Sequence, residues 1–174
     1  MKTLYLERST GECRNGDWVE TLDLEGVERI VVGTGPGSFA GIRSALAFAQ
    51  GYAVGRKGVE VFGLPSACAI AAEAVVGDAR QGKIWIARFR DGKLAGEVYQ
   101  VEEAVLAAEL EGVNEIVSPD DRRIGEKLRA LFGERYRGER FPTAAGLEAY
   151  AVAHPEDLKL EPLPIYLNPA VRQS

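Results

Sequence analysis

Three glycines at alternate positions, Gly33, Gly35 and Gly37, stand between a β-branched run at 30–32 and Ser38. A glycine turn that leads into a helix can hold an anion, because free amides and the helix dipole both favour negative charge there. Gly35, Gly37 and Ser38 are therefore candidate residues of an anion loop. The spacing matches neither the P-loop nor the dinucleotide fingerprint, and the loop contains no lysine. A tight strand-to-helix turn without a ligand is the other interpretation.

Few other side chains are spaced for chemistry. Asp78 and Arg80 lie beside a predicted turn, as either a functional pair or an ion pair that fixes a strand end. His154 is the single histidine, so a two-histidine metal site within one chain is excluded. Cys68 has no base near it in sequence and is expected to be a packed thiol. We predict no catalytic residue, no metal site and no cofactor.

The residues after the turn predict a helix from Ser38 to Val54, which Gly55 and Gly58 end. One apolar stripe at helical spacing consists of Phe39, Ile42, Leu46, Ala49 and Ala53. A second row, of small residues, consists of Ala40, Ser44, Ala47, Gly51 and Gly55. A helix that is apolar on nearly all sides must be covered on more than one face. Burial within its own domain and contact with a partner both remain open.

The rest of the chain alternates predicted strands and helices, the pattern of an α/β fold. Asn15-Gly16 and Asp91-Gly92 are hairpin signals, the first followed by a possible strand at 18–22. Helices are predicted at 65–74, 101–110, 144–152 and after Asp120. We expect a lobe at 1–100 that holds the glycine turn and central helix. A smaller α/β lobe at 101–174 is coupled tightly to it, or forms one domain with it.

Composition limits the possible partners. The 174-residue chain has a net charge of −5 and a pI near 5.1, which argues against a protein that grips nucleic acid by itself. Two cysteines give no disulfide framework, and the charged first residues do not form a signal peptide. A cytoplasmic protein is expected. The most apolar window, 38–55, is interrupted by Arg43 and Gln50, so no membrane span is predicted.

Two segments resemble one protein family. Residues 35–43, G-P-G-S-F-A-G-I-R, resemble the G-P-G-S-F-T-G-[IL]-R signature of the bacterial TsaB (YeaZ) family, and 78–85 resemble its D-A-R-x-G-E-[VI]-Y segment. The resemblance implies an actin/Hsp70-like (ASKHA) ATPase-type fold that has lost ATPase function. It also implies a non-catalytic scaffolding partner of TsaD, in threonylcarbamoylation of the adenosine next to the tRNA anticodon.

The chain departs from the family at its N-terminal lobe. Glu7 stands where the family has an aspartate, and Arg8 replaces a hydroxyl residue. Several tens of residues that family members carry before the strand at 30–32 are missing, so the lobe is shortened. The resemblance implies partner contact through the helix at 38–54, and the spacing of its small residues favours the same contact. The candidate interface residues are Phe39, Arg43, Ala47, Gly51 and Gly55. The partner is a TsaD-like subunit or a second copy of this chain, and tRNA is contacted only indirectly.

Two alternatives to this function stay open. One is a phosphate- or nucleotide-handling enzyme that uses the 35–38 loop with Glu7 or Asp78. The other is a diverged, self-associating relative that no longer serves TsaD. The sequence leaves open whether a homodimer or a heterodimer forms, and whether the missing segment abolishes TsaD binding.

Overall fold

The computed structural model describes residues 1–10, 19 and 22–167. The strands in chain order are β1 (Lys2–Leu6), β2 (Val27–Gly33), β3 (Glu60–Leu64), β4 (Ala74–Arg80), β5 (Lys83–Arg90), β6 (Lys93–Leu94), β7 (Tyr99–Glu102), β8 (Ile116–Ser118), β9 (Tyr136–Glu139) and β10 (Lys159–Leu160). The helices are α1 (Phe39–Val54), α2 (Leu106–Glu109), α3 (Asp121–Phe132) and α4 (Ala144–Ala153). None of the helices in the described ranges is both long and apolar enough to cross a membrane.

Two compact units divide the chain, one of Met1–Ala69 with Pro142–Ile165 and one that includes Ile70–Phe141. This division differs from the lobe boundary expected at residue 100. It arises because β4 and β5 pair with strands that follow residue 98, while the chain returns to the first unit through α4. The predicted α/β class is confirmed, with one sheet in each unit.

The first unit contains a four-stranded sheet in the order β1-β2-β3-β10. β1, β2 and β3 are parallel, and β10 pairs antiparallel with β3. Ile30, Val31 and Val32 of β2 are fully buried, as their β-branched run predicts for a central parallel strand. Ile42 and Leu46 of α1 pack into the same core cluster as β2. The sheet therefore holds the glycine turn at the carboxyl end of its central strand.

The second unit contains a six-stranded sheet with β4, β5, β8 and β9 in its body. β4 pairs antiparallel with β5 and parallel with β8, which in turn pairs parallel with β9. Its core cluster includes Ile84, Ile86, Leu110, Ile116 and Leu128, all fully buried. The Asp91-Gly92 hairpin is confirmed, since both residues have the positive φ that a type I′ turn requires.

Two predicted helices are wrong. The helix expected at 65–74 is a single 3₁₀ turn, Ser66–Ala69, before β4 begins at Ala74. The helix expected at 101–110 begins as the end of β7, which pairs with β5, and becomes α-helical only at Leu106. In the second case strand pairing overrides local preference. The predicted Asn15-Gly16 hairpin and almost all of its strand at 18–22 lie outside the described residues.

Candidate functional site

The glycine turn is packed against residues 7–9, which follow β1. A side chain at Gly33 would overlap the Glu7 carboxylate, and one at Gly37 would overlap Ser9. A side chain at Gly41, one turn into α1, would overlap the carbonyl oxygen of Arg8. Glycine at positions 37 and 41 therefore lets the backbone of residues 8 and 9 lie directly on the turn, and Gly33 makes room for the Glu7 side chain. The space beside these three glycines is occupied by the protein itself.

Two amides of the expected anion loop, those of Gly35 and Ser38, are engaged in hydrogen bonds within the chain. The Gly35 N–H donates to Ser66 Oγ over 2.9 Å, and the Ser38 N–H donates to the Ser9 carbonyl. Ser38 caps α1 as predicted, because its Oγ accepts from the Gly41 N–H at 3.3 Å. Gly35 also needs glycine for its backbone, with φ of +93°. The arrangement matches a tight turn better than an open anion cradle.

Glu7 lies beside the turn with its carboxyl group removed from solvent. Its Oε1 accepts from the Ser9 N–H at 2.7 Å. Its Oε2 is buried and makes no hydrogen bond to any described residue. Burial raises the pKa of the Glu7 carboxyl, and the hydrogen bonds from Ser9 only partly oppose this effect. Such a carboxyl favours its neutral form more than an exposed glutamate does. Within the described ranges, no group of three potential metal ligands is found.

Helix α1 buries one face and exposes the small-residue row. Ile42, Leu46 and Ala49 are buried, whereas Ala40, Ser44, Ala47, Gly51 and Gly55 are all exposed. At Gly51 a side chain would meet no atom within 4 Å. The apolar stripe is therefore not buried along its whole length, since Phe39, its first residue, is 46% exposed.

The remaining expected contact residues also lie on the exposed side of α1. The Arg43 guanidinium stacks 4.9 Å from the centroid of the Phe39 ring, a cation–π contact that leaves both side chains at the surface. Val54, at the last position of the helix, is 89% exposed. The candidate interface residues Phe39, Arg43, Ala47, Gly51 and Gly55 are thus all exposed and belong to one helix and its cap.

Asp78 and Arg80 lie at the end of β4, in the second unit. Asp78 Oδ1 accepts from the Arg80 N–H at 2.8 Å, and the two side chains form a 3.5 Å ion pair. Asp120 joins them, because its Oδ2 accepts from the Asp78 N–H at 2.9 Å. Arg123 approaches Asp78 from α3 at 3.6 Å. Glu7 thus borders the glycine turn in the first unit, while Asp78 belongs to a different cluster.

Ser66 and Asp120 are site residues that the sequence did not indicate. Ser66 accepts a hydrogen bond from the Gly35 amide, 31 residues away in sequence. Asp120 accepts one from the Asp78 amide, 42 residues away. Either Asp120 or Asp121 was expected to cap α3; Asp120 holds the cap position, but its side chain makes no capping hydrogen bond. Neither contact has a local signal, since each depends on which strands become neighbours in the sheet.

Comparison with known proteins places the chain in a family. The family model described as TsaD, tRNA N6-adenosine threonylcarbamoyltransferase, matches residues 20–119, which is more than half of the chain. An uncharacterised protein of Mycobacterium leprae is 32% identical over 153 residues, covering 80% of this chain and 36% of that protein. An uncharacterised protein of Mycobacterium tuberculosis is 37% identical over 76 residues, covering 41% of this chain and 36% of that protein. The chain thus spans about a third of the length of these relatives.

Solved structures share the fold. YeaZ from Pseudomonas aeruginosa superposes with a TM-score of 0.59 at 23% identity, over 87% of this chain and 79% of that one. A second Pseudomonas aeruginosa structure, of an uncharacterised protein with similarity to peptidase YEAZ, gives the same TM-score at 21% identity. The expected actin/Hsp70-like (ASKHA) fold is confirmed. The chain has the fold of the YeaZ structures, as its two motifs predicted, and it belongs to the family of the TsaD model.

Proposed function

We propose that this chain is a non-catalytic, cytoplasmic scaffolding subunit. It binds a TsaD-like subunit that threonylcarbamoylates the adenosine next to the tRNA anticodon. Family membership supports this reaction. Contact with tRNA is indirect, in keeping with the net charge of −5. Several cations of the second unit are also neutralised, as Arg129 pairs with Asp121 and Arg140 with Glu115.

The exposed face of α1 is the observation that carries the proposal. Small residues at Ala47 and Gly51 let a partner helix approach closely, because helix separation depends on the side chains at the contact. Phe39 and Val54 add apolar surface at the two ends of the same helix. Covering this face would remove apolar area from water, at about 25 cal/mol per Å². A TsaD-like subunit is the occupant that family membership favours.

The competing phosphate-handling function receives less support from the geometry. The amides of Gly35 and Ser38 are already bonded within the chain, and residues 7–9 fill the space beside the glycines. Stoichiometric binding of Mg-ATP to the purified chain, seen by calorimetric titration, would nevertheless put this function ahead.

Substitution on the exposed row tests the proposed interface. Ala47→Arg and Gly51→Arg introduce a long cation at a contact that must lose its water, so capture on an immobilised TsaD-like subunit should weaken more than a hundredfold. Both variants should keep wild-type circular dichroism, because both positions are exposed. Ala149→Arg, at an exposed alanine inside α4, is the matched control and should be captured normally.

Three results of this experiment would contradict the proposal. Capture of both α1 variants at wild-type strength would place the interface elsewhere. Unfolding of both variants would show that the row is covered by the chain's own domain. If the wild-type chain is not captured but self-associates through the same row, as judged by sizing, the chain is the self-associating relative instead.

A further inference from the structure

Two guanidinium groups of the second unit converge on one carboxylate oxygen. Arg80, at the end of β4, and Arg123, in the first turn of α3, place their Nη1 atoms 3.5 and 3.6 Å from Asp78 Oδ2. The side chains of Arg80 and Arg123 are 60% and 52% exposed, whereas that of Asp78 is only 16% exposed. The two cations therefore lie at the surface around a largely covered acid.

The distances leave the hydrogen-bond donors of both arginines available. Charge-assisted N–H···O bonds are about 2.7–2.9 Å long, and a contact near 3.5 Å is an electrostatic attraction without a good hydrogen bond. Other arginines of this unit are bound closely, since Arg129 lies 2.8 Å from Asp121 and Arg140 lies 2.7 Å from Glu115. Asp78 thus draws Arg80 and Arg123 together without using their donors.

The backbone fixes the direction of Arg80. The β4–β5 ladder has an irregularity between Asp78 and Arg80, of the kind that redirects a side chain. Arg80 has φ of +67° and Gln81 has φ of +54°, which non-glycine residues seldom adopt. The Asp78 carboxylate is held in turn by the Arg80 N–H, and its amide by Asp120. This geometry sets where the Arg80 side chain leaves the backbone, beside the Asp78 carboxylate that Arg123 also approaches.

Two acids lie beside the two arginines. Asp78 forms both ion pairs, and Asp120 Oδ2 accepts from the Asp78 N–H. Asp121, the next acid along the chain, is taken up by Arg129 and by the Tyr136 hydroxyl. Two exposed cations therefore share one largely covered carboxylate oxygen at ion-pair distance.

We propose that Arg80 and Arg123 form a binding site for a phosphate group. Guanidinium groups present planar, forked donors that match phosphate oxygens, and two of them at one point bracket such an oxyanion. A phosphate monoester and the phosphodiester backbone of RNA share this chemistry. A site of this size contacts one or two phosphates, too few to hold an RNA without other contacts. The proposal does not depend on the scaffolding function.

Titration with inorganic phosphate at constant ionic strength, followed by NMR of the arginine Nε–Hε groups, tests the site. We expect saturable shifts at Arg80 and Arg123, and at least fivefold weaker binding in Arg80→Gln and in Arg123→Gln. Arg137→Gln removes an exposed arginine of β9 as a matched control and should bind within twofold of wild type. Arg80→Lys keeps the charge but loses the fork, so it should also bind more weakly. This variant keeps the test decisive if the glutamine variants fold poorly.

A short single-stranded RNA distinguishes the two sources of phosphate. If RNA binds, and each glutamine variant lowers the slope of log K against log salt by about 0.7 per lost contact, the ligand is a phosphodiester. If inorganic phosphate shifts Arg80 and Arg123 but RNA does not, the ligand is a free phosphate or a monoester. The proposal is overturned if neither ligand shifts these two residues, or if Arg137→Gln weakens binding as much as the other variants.

Discussion

Helix α1 carries glycines in two opposite environments. At Gly41, in its first turn, the place of a side chain is filled by the Arg8 carbonyl oxygen. At Gly51, near its end, the same place is open to solvent. Both residues have helical neighbours on each side, so the difference is not one of backbone conformation. One glycine serves packing within the chain, and the other leaves room outside it.

The contrast extends to the glycine turn before α1. Gly33, Gly37 and Gly41 together accommodate residues 7–9, and the Gly35 and Ser38 amides are bonded to Ser66 and Ser9. A glycine-rich turn before a helix is often interpreted as an anion site. Here the close backbone approach that glycine permits is made by the protein's own chain. The comparison with Gly51 can therefore be tested by adding a single methyl group at each position.

Gly41→Ala should have the largest effect. The new Cβ would overlap the Arg8 carbonyl oxygen, so residues 7–9 must move and the Ser38–Ser9 hydrogen bond must lengthen or break. Overpacking of this kind costs about 1–3 kcal/mol, and the lost hydrogen bond adds about 1 kcal/mol. The free energy of unfolding, from urea denaturation, should fall by about 2–4 kcal/mol in total. An increase in stability, as alanine normally gives inside a helix, would show that residues 7–9 do not rest on Gly41.

The secondary structure that carries these glycines could be predicted where the sequence signals lie close together in the chain. Helix α1 was expected from Ser38 to Val54 and is found at Phe39–Val54 with Ser38 as its cap. Its cap, its apolar stripe and its terminal glycines all lie within one stretch of sequence. The packing of residues 7–9 on the glycine turn has no such signal, because it depends on β1 lying beside β2.

Glu7→Gln should remove a pH dependence of stability. Because the pKa of Glu7 is raised in the folded state, its favourable contribution is complete below the unfolded pKa of about 4.3. That contribution is lost as the pH rises through the folded pKa. Each unit by which folding raises this pKa corresponds to about 1.4 kcal/mol. Between acidic and neutral pH, the free energy of unfolding of the wild-type chain should therefore fall relative to that of Glu7→Gln.

Urea denaturation between pH 4 and pH 8 measures this difference, with m-values as a check on two-state behaviour. Glu28→Gln changes an exposed glutamate of β2 in the same unit and is the matched control. The prediction fails if the difference in free energy of unfolding between wild type and Glu7→Gln stays constant with pH, as is expected for Glu28→Gln. Glu7 would then titrate as an ordinary exposed acid.

Long-range pairing also accounts for the division into units. The predicted boundary at residue 100 followed the order of the elements along the chain, whereas β4 pairs with β8, some 40 residues later. The small residues at 65–74 are compatible with a helix, yet only a 3₁₀ turn forms at Ser66–Ala69 before β4 begins at Ala74. The Asp78–Asp120 contact follows from that same pairing.

Gly51→Ala should have the smallest effect, and with the opposite sign to Gly41→Ala. Its Cβ meets no atom within 4 Å, so the substitution adds no overlap. Alanine is favoured over glycine within a helix by up to about 1 kcal/mol, chiefly because the unfolded chain loses freedom. The free energy of unfolding should therefore rise by about 0.5–1 kcal/mol. Capture on a TsaD-like subunit should fall only modestly, since a methyl group is far smaller than the arginine of Gly51→Arg. A loss of stability comparable to that of Gly41→Ala would mean that Gly51 is packed within its own unit, and the contrast along α1 would disappear.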